Sequence, residues 1–211
     1  TGSTVSNSGT IRMQGTDLTS SVTQYGMYSY STNSGSFLNS GVIEQTAQVF
    51  ADAYVYQYGM YQSSGVGATG TMENSGTISM SGVARASSVS QTGMYVSGSA
   101  DGTVRNSGTI TMDASTRSGE TEQYGIYVSG TANGTVENTR SITMTADAGT
   151  EATQYGIYVS GTSAGGTIAN SGTIMMKATT DESSVTQYGI RTGSLSAGAT
   201  VSNSGLISIC L

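Results

Sequence analysis

The sequence predicts an all-β fold: one β-solenoid of six to seven three-sided coils, each about 32 residues long. The first observation is the tripeptide Asn-Ser-Gly, with one degenerate copy, Asn-Thr-Arg, recurring every 32 to 35 residues. Its asparagines are Asn7, Asn39, Asn74, Asn106, Asn138, Asn170 and Asn203. The second is Gln-Tyr-Gly or a close variant, which keeps the same spacing from Gln24 to Gln187. A period of this length, with no residues left between units, indicates stacked modules. We therefore expect one domain over residues 1–211, with repeats starting near residues 4, 36, 71, 103, 135, 167 and 200.

Each unit contains three short segments that alternate between apolar and polar residues and are bounded by Gly, Ser or Asn. This pattern is typical of half-buried strands. In the fourth unit the predicted strands are Thr103–Asn106, Thr109–Met112 and Tyr124–Val128. A variable polar loop separates the second strand from the third, and a short Gly/Ala/Ser turn closes the unit. No segment shows a 3.6-residue period, so we expect almost no helix.

The alternation predicts apolar columns along a narrow interior. The second strand carries isoleucine at one position in every unit: Ile11, Ile43, Ile78, Ile110, Ile142, Ile174 and Ile207. Strict alternation in the third strand points the first tyrosine of Gln-Tyr-Gly-Ile-Tyr inward and the second outward. At a strand spacing of ~4.8 Å, equivalent side chains would stack into continuous ladders. Burial of those ladders is then what holds each unit against its neighbours.

The repeated asparagine shares its parity with the preceding apolar residue, so its side chain should turn inward at a corner. There it can bond the backbone of the turn and the asparagine of the next unit. A ligand-binding role for the same column is the alternative. The glycine two residues later supplies a positive φ or a close approach of two backbones. Arg140, which occupies that position in one unit, therefore predicts a distorted corner.

Charge placement favours one coil per 32 residues. Arg12 precedes Glu44 in one outward column, and Arg105 lies between Glu73 and Glu137 in another. A 32-residue coil would put these opposite charges side by side. The rival is two coils of about 16 residues per repeat. It is supported by the 16- to 18-residue spacing from Asn to Gln and by a glycine two residues after both.

Composition excludes several classes of protein. The chain has no His, seven Lys and Arg residues and a net charge of −6, which argues against binding to nucleic acid or to anionic membranes. No stretch approaches the roughly 18 apolar residues of a membrane helix, so no membrane insertion of this segment is expected, and no motif calls for a cofactor. Cys210 has no partner for an internal disulfide, which leaves a buried end residue or an intermolecular bridge. Thr1 opens in mid-pattern, as in a processed chain or a piece of a longer one.

The combination Thr-Val-x-Asn-Ser-Gly-Thr-Ile followed by Tyr-Gly-Ile-Tyr-Val-Ser-Gly resembles the repeats in passenger regions of bacterial autotransporters and related surface proteins. The resemblance runs from Thr4 to Ile209. It implies a right-handed parallel β-helix and secretion to the outside of a bacterium. It implies no ligand, because the matching motif is structural.

Enzymatic activity is not expected. Parallel β-helices that cleave polysaccharides need clustered carboxylates on outward strand positions, where this chain carries Thr, Ser and isolated charges. The carboxylates gather instead in the variable loop, and stacked coils would align them into one solvated acidic edge. Weak Ca²⁺ binding is the alternative for that edge, because hard cations take oxygen ligands. The candidate ligands are Glu120, Glu122, Asp181 and Glu182.

The outward tyrosine column is the candidate binding face. It contains Tyr28, Tyr61, Tyr95, Tyr127 and Tyr158. Stacking between neighbouring rings would stabilise the sheet. The alternative role is recognition of a glycan or a neighbouring protein, because tyrosine combines an apolar plate with a polar tip.

The two ends of the chain carry the same hexapeptide, at residues 4–9 and 200–205, so an exposed strand edge is expected at each end. Candidate end-to-end contacts are Val5, Ile11, Leu206, Ile209 and Leu211. The function expected is a secreted, non-enzymatic structural or adhesive element of a bacterial cell surface. Its partner is then either a glycan or protein of a cell surface or a second copy stacked head to tail into a filament. A polysaccharide-active enzyme is the less favoured alternative.

Overall fold

A computed structural model describes residues 2–163, 165–181 and 184–211. The described chain contains strands, turns and no helix, as the sequence predicts. The strands form three parallel sheets that run the length of the molecule, with seven, seven and six strands. The chain therefore winds as a three-sided β-solenoid of about six turns.

Each of the first six coils contributes one strand to each sheet, in the order first, second, third, and a last, partial coil contributes to the first two sheets. The first sheet contains β1 (Thr4–Asn7), β4 (Ser36–Asn39), β7 (Thr71–Asn74), β10 (Thr103–Asn106), β13 (Thr135–Asn138), β16 (Thr167–Asn170) and β19 (Thr200–Asn203). The second contains β2 (Thr10–Asp17), β5 (Val42–Val49), β8 (Thr77–Ala84), β11 (Thr109–Thr116), β14 (Ser141–Ala148), β17 (Thr173–Thr180) and β20 (Leu206–Cys210). The third contains β3 (Val22–Ser29), β6 (Val55–Gln62), β9 (Val89–Val96), β12 (Thr121–Val128), β15 (Ala152–Ser163) and β18 (Val185–Leu195).

The strand register selects one coil per repeat. Ile110 in β11 pairs with Ile78 on one side and Ile142 on the other, each 32 residues away. Two 16-residue coils per repeat would instead pair residues half a repeat apart, so that rival is wrong. Two of the predicted charge pairs also meet: Arg12 Nη2 lies 2.8 Å from Glu44 Oε2, and Arg105 Nε lies 2.9 Å from Glu137 Oε1. The Arg12–Glu44 pair is exposed, so it contributes little energy and chiefly marks the register.

The main core is the set of predicted apolar columns. Fully buried side chains come from all three sheets, for example Val104 in β10, Ile110 in β11 and Ile126 in β12. The predicted Gly/Ala/Ser turn also contributes. Val66, Ala100 and Ala132 are fully buried there and pair through isolated parallel bridges. The closing turn is thus a fourth apolar column rather than a solvated connection.

The predicted variable loop is mostly strand, which corrects the sequence prediction. β11 runs four residues beyond Met112, and β12 begins three residues before Tyr124. The alternation continues there with small side chains, so Ala114 is fully buried and packs in a second, narrow core. The sequence did not predict this core, because its inward residues are small alanines and threonines, which are also typical of polar loops.

The repeated asparagine turns inward at the corner between the first and second sheets. Asn106 Nδ2 lies 2.8 Å from Asn138 Oδ1, and the same bond links all seven asparagines at 2.7–2.8 Å. The glycine of the motif serves close approach: a Cβ on Gly108 would lie 2.1 Å from the Gly76 carbonyl oxygen. At the Arg140 corner the described backbone keeps a 2.8 Å bond from Thr139 N to Asn106 O, and Arg140 adopts no positive φ. One bond is lost there, however. The glycine amide at the other corners also donates to the asparagine carbonyl of the preceding coil, as Gly108 N does to Asn74 O, whereas in the described chain Arg140 N makes no such bond to Asn106 O. The predicted distortion is therefore present, and it is confined to this bond.

Candidate functional site: the tyrosine strip

A column of buried glutamines sits behind the exposed face of the third sheet. Gln123 Nε2 donates to Gln91 Oε1 at 2.8 Å and to the Thr145 carbonyl oxygen at 3.0 Å. Equivalent glutamine-to-glutamine bonds of 2.6–2.9 Å connect every coil from Gln24 to Gln187. This ladder satisfies buried amides and anchors the third sheet to the second. Sequence reasoning missed it, because strict alternation from Ile126 points the glutamine outward.

Alternation breaks at the glycine of Gln-Tyr-Gly. In β12, Gln123 and Ile126 are both buried although they lie three positions apart, and Gly125 pairs with no residue of the neighbouring strand. A Cβ on Gly125 would lie 2.5 Å from the Gly156 carbonyl oxygen and 2.7 Å from Ile142 Cγ2. Glycine lets the strand bend closely over the isoleucine column of the second sheet. Because of the bend, residues of β12 before Gly125 face the opposite way from that expected by alternation from Ile126.

Both tyrosines of each motif therefore lie on the same outer face, and the prediction that the first points inward was wrong. We call the ten residues the tyrosine strip. Its first column is Tyr25, Tyr58, Tyr124, Tyr155 and Tyr188, and its second is Tyr28, Tyr61, Tyr95, Tyr127 and Tyr158. The strip is half-buried to exposed over most of its length, although Tyr155 keeps only 7% of its surface accessible.

The rings of the strip stack on one another along the axis. Tyr124 and Tyr155 have ring centroids 5.0 Å apart and planes 7° apart, and Tyr127 and Tyr158 stack at 5.1 Å and 12°. Tyr124 also stacks across the strip on Tyr127 at 4.7 Å. Centroid distances in this range are favourable for aromatic pairs. The strip is therefore a pre-formed aromatic surface.

One end of the strip already holds a cation. Arg191 occupies the second-column position opposite Tyr158, and its guanidinium carbon lies 5.0–5.4 Å from the ring centroids of Tyr155, Tyr158 and Tyr188. Arg191 Nη1 also donates to the Tyr155 hydroxyl at 2.7 Å. These are the geometries of cation–π attraction. The tyrosine strip is thus chemically suited to positive groups as well as to apolar faces.

Burial raises the pKa of several phenols in the strip. It raises the pKa of Tyr58 to about 12, with the neighbouring Tyr25 as the next cause. Burial also raises the pKa of Tyr124, followed by the hydrogen bond from its hydroxyl to the Glu122 carboxylate. The hydroxyls of Tyr58 and Tyr124 are therefore neutral throughout the physiological pH range, and a neutral phenol can both donate and accept a hydrogen bond.

The first column has one interruption, in β9, where Thr92 replaces tyrosine. A cavity of about 250 Å³ opens there, lined by tyrosines of three coils and by Glu122. A second cavity of about 380 Å³ adjoins it and shares Ser90 and Glu122 with it. Sequence reasoning did not single out Thr92 or Glu122 as partners in one cavity. The signal available in the sequence was Gln91-Thr92-Gly93, the one copy of the Gln-Tyr-Gly motif that lacks tyrosine.

The predicted acidic edge does not form as one surface. In the second sheet, Asp113 pairs with Thr145, and Asp147 pairs with Ser115 and Thr179, so the two carboxylates occupy different columns. Glu120 and Glu122 line the larger cavity of the third sheet, whereas Asp181 lines a separate one beside Arg117. Glu182 lies outside the described residues. Within the described part of the chain, no three carboxylates or thiols converge as metal ligands, so calcium binding gains no support.

The predicted end contacts lie on the outer coils. Val5, Leu206, Ile209 and Leu211 are exposed by 48–79%, while Ile11 is partly buried against the main core. Cys210 is a free, exposed thiol, so the buried alternative for it is wrong. No helix in the described ranges is long and apolar enough to cross a membrane.

Fold and repeat together define a parallel β-helix repeat protein. The family model described as the BigA third pectate lyase-like domain matches residues 1–138, which is more than half of the chain. The chain therefore belongs to that family, which is a domain of bacterial surface proteins. No curated protein and no solved structure matches it significantly.

Proposed function

We propose that this chain is a non-enzymatic adhesive or structural segment displayed outside a bacterial cell, and that the tyrosine strip is its binding face. The observation that carries the proposal is the strip itself: ten tyrosines held on one face in two stacked columns. Family membership supports a location at the bacterial surface. The autotransporter-like repeats support export, as the resemblance implies.

The strip has the physical properties of a recognition surface. Tyrosine supplies a large amphipathic contact at low cost in conformational entropy, which is why it dominates many binding faces. Stacking between coils and the glutamine ladder behind the strip fix the rings before a ligand arrives. Pre-organisation of this kind raises affinity, because less freedom is lost on binding. The partner that fits best is an extended one, a glycan chain or a protein segment on another surface.

The non-enzymatic part of the proposal rests on where charged groups lie. A polysaccharide-cleaving site needs a positioned acid and base, usually with a cation or a second carboxylate aimed at the reacting bond. Outward positions of the second sheet carry single carboxylates opposite threonine, as at Asp113 and Asp147. Carboxylates do gather in the larger cavity, which Glu120, Glu122 and Glu151 line without a described Lys or Arg, so the enzyme alternative would have to act there. Polysaccharide turnover by the wild-type chain that disappears in Glu120→Gln and Glu122→Gln would establish the enzyme alternative instead.

Binding to glycan arrays and to intact cells tests the tyrosine strip. The variant Tyr61→Thr/Tyr127→Thr removes two rings of the second column and introduces the residue that Thr92 shows the sheet accepts. We expect at least about a tenfold loss of affinity, as for central aromatic residues of an interface. The matched control is Thr111→Ala, on the outward face of the second sheet. Equal loss in the control, or no loss in the tyrosine variant, contradicts the proposal.

Head-to-tail stacking into a filament is the second candidate. Its support is that β1, β2 and β3 at one edge and β18, β19 and β20 at the other leave one side of each edge strand unpaired in the described chain. Leu206 and Ile209 are also exposed by more than half on the outer coil. Unpaired parallel edges invite strand addition. Electron microscopy of the purified chain should then show fibres with an axial repeat near seven strand spacings, ~33 Å, which Leu206→Lys/Ile209→Lys abolishes.

A further inference from the structure

A furrow crosses the tyrosine strip at β9. This strand places Ser90 and Thr92 on the outer face, where β6 places Tyr56 and Tyr58. On the other side, β12 places Glu122 and Tyr124 at the same two positions. Two small side chains therefore lie between rows of large ones. The furrow is the clearest departure from the repeat on the exposed face of the third sheet.

The part of the furrow above Thr92 is a notch with aromatic walls. Tyr58, Tyr95, Tyr124 and Tyr127 line its cavity of about 250 Å³, and Thr92 is almost fully buried at its floor. Tyr95 responds to the missing ring. Its plane is tilted by 44–52° from those of Tyr61 and Tyr127, whereas other neighbours in the second column lie 12–14° apart. Ring faces and edges of several tyrosines thus surround one vacant ring position.

The notch is also negatively charged. The Tyr124 hydroxyl donates to one carboxylate oxygen of Glu122, which holds that carboxylate at the rim. The adjoining cavity of about 380 Å³ adds Glu120 and Glu151. In the described part of the chain, none of these three glutamates is in an ion pair, since the two ion pairs are Arg12–Glu44 and Arg105–Glu137. Carboxylates without an ion-pair partner attract a cation by charge, and the neighbouring tyrosine faces attract it by cation–π interaction.

The geometry points to a binding site for an arginine or lysine side chain of a basic segment in a partner protein, seated in the notch between Tyr58 and Tyr124 with Glu122 as its counter-ion. The strip itself shows that this chemistry works, because three of its tyrosines already surround the guanidinium of Arg191. The inference rests on the proposed function of the strip as a binding face, and it names the ligand chemistry of one part of it.

Charge and shape select this occupant over others. A bare metal ion would need converging oxygens, and the described carboxylates do not converge. A neutral sugar would contact the rings but gain nothing from the charge of Glu122. The adjoining cavity, with its own glutamates and the rings of Tyr54 and Tyr56, continues the furrow and can take a second cation of the same segment. A chain with a net charge of −6 also attracts basic partners over a distance.

The test is calorimetric titration of the whole chain with a short peptide that alternates arginine and glycine. The key variant is Thr92→Tyr, which fills the notch with the residue found at this position in the other five coils of the third sheet and so preserves the fold. Thr92→Ser, which leaves the notch open, is the matched control. Glu122→Gln removes the counter-ion and keeps the shape of the side chain. Circular dichroism and thermal denaturation confirm that each variant is folded.

We expect the peptide to bind the wild type and Thr92→Ser equally, and Thr92→Tyr and Glu122→Gln at least about tenfold more weakly. Added salt should weaken binding to the wild type. A peptide with citrulline in place of arginine, which has the same shape without the charge, should not bind. Unchanged binding by Thr92→Tyr overturns the proposal. Tighter binding of choline than of the peptide, which indicates a lipid headgroup, also overturns it. Tighter binding of a neutral oligosaccharide at the same site does so as well.

The two proposals fail separately. Thr92→Tyr makes the first tyrosine column continuous, so a ligand that lies along the strip should bind this variant as well as the wild type. Suppose that glycan arrays and cells show no binding, but the arginine peptide binds Thr92→Ser more tightly than Thr92→Tyr. The adhesive function is then wrong, and the cation site in the notch still stands. Suppose instead that Tyr61→Thr/Tyr127→Thr abolishes cell binding, but Thr92→Tyr binds the peptide as well as the wild type. The cation site in the notch is then wrong, and the adhesive function still stands.

Discussion

Two amide ladders dominate the energetics of single residues in this molecule. An inward polar side chain in a narrow solenoid loses its water, and burial without a partner costs about 1–3 kcal/mol. The asparagines avoid that cost by bonding the next coil, as Asn106 does to Asn138 at 2.8 Å. The glutamines do the same on the other side of the core, as Gln123 does to Gln91. Each ladder residue therefore satisfies its neighbours as well as itself.

Replacing one asparagine should cost more than one hydrogen bond. In Asn106→Ala, Asn74 Nδ2 loses its 2.8 Å partner and Asn138 Oδ1 loses its donor, both in the buried interior. We expect a loss of stability of about 2–4 kcal/mol, measured as a lower midpoint of urea denaturation. Thr111→Ala, an outward position in the neighbouring strand, should change the midpoint little. Equal midpoints for the two variants would show that the ladder is not a major source of stability.

Glycine at the bend of the third sheet is required by close packing. In Gly125→Ala the new methyl group would collide with the Gly156 carbonyl oxygen and with Ile142 Cγ2. Overpacking of this kind costs about 1–3 kcal/mol, so the thermal midpoint should fall. Gly9→Ala is the matched control, because nothing lies within 4 Å of its added methyl group. A destabilised Gly9→Ala together with an unaffected Gly125→Ala would refute this account of the bend.

Elements are stabilised by what stacks above and below them rather than by a central globular core. β11 illustrates this: every residue from Thr109 to Ser115 pairs with a residue of β8 and one of β14. A change of residue type in one column therefore alters the contacts of the strands on both sides. Gln45 in β5 is such a case, since it faces Met13 and Met80 in the same inward column.

Gln45 is a polar residue in an apolar column, and its replacement should stabilise the chain. Gln45 is 1% exposed, its Nε2 donates to the Tyr58 carbonyl oxygen at 3.0 Å, and its Oε1 has no hydrogen-bond partner. Gln45→Met removes the unpaired oxygen and restores the column, at the loss of one hydrogen bond. We expect a gain of about 1 kcal/mol in the free energy of unfolding, measured by denaturant titration. The reverse change at a fully apolar site, Met112→Gln, should destabilise.

For the whole molecule, the tyrosines link stability to alkaline pH. Burial is the largest cause of a raised pKa at Tyr58, Tyr61, Tyr124, Tyr127 and Tyr155, with Tyr58 raised to about 12 from 10.0. The folded state therefore keeps protons that the unfolded state releases.

Stability should then be constant through neutral pH and fall as pH rises above 10, because the unfolded chain binds fewer protons there. The fall should continue to about pH 12, where Tyr58 also ionises in the folded state. Denaturation midpoints between pH 8 and 11.5 measure it, with phenolate absorbance reporting ionisation. Tyr58→Phe should reduce the slope above pH 10. A flat profile, or rising stability over this range, contradicts the burial of the strip.

The sequence by itself determined the period, the coil length, the inward isoleucine column and the asparagine corner. Identical residues at identical spacing can be satisfied together only if equivalent positions lie above one another, and parallel pairing in register achieves that. The alternation rule then located Ile110 and Val104 correctly. It also identified the second tyrosine column as an outward face.

Tertiary structure decided the rest. The bend at Gly125, set by contact with Ile142 and with the backbone of the next coil, reverses the parity of Tyr124 and Gln123, which no local pattern encodes. The narrow core around Ala114 depends on which small side chains meet across two sheets. The notch exists because Thr92 lies between residues about 32 positions away in both directions. Such sites are defined by neighbours in space, and a sequence read one residue after another does not show them.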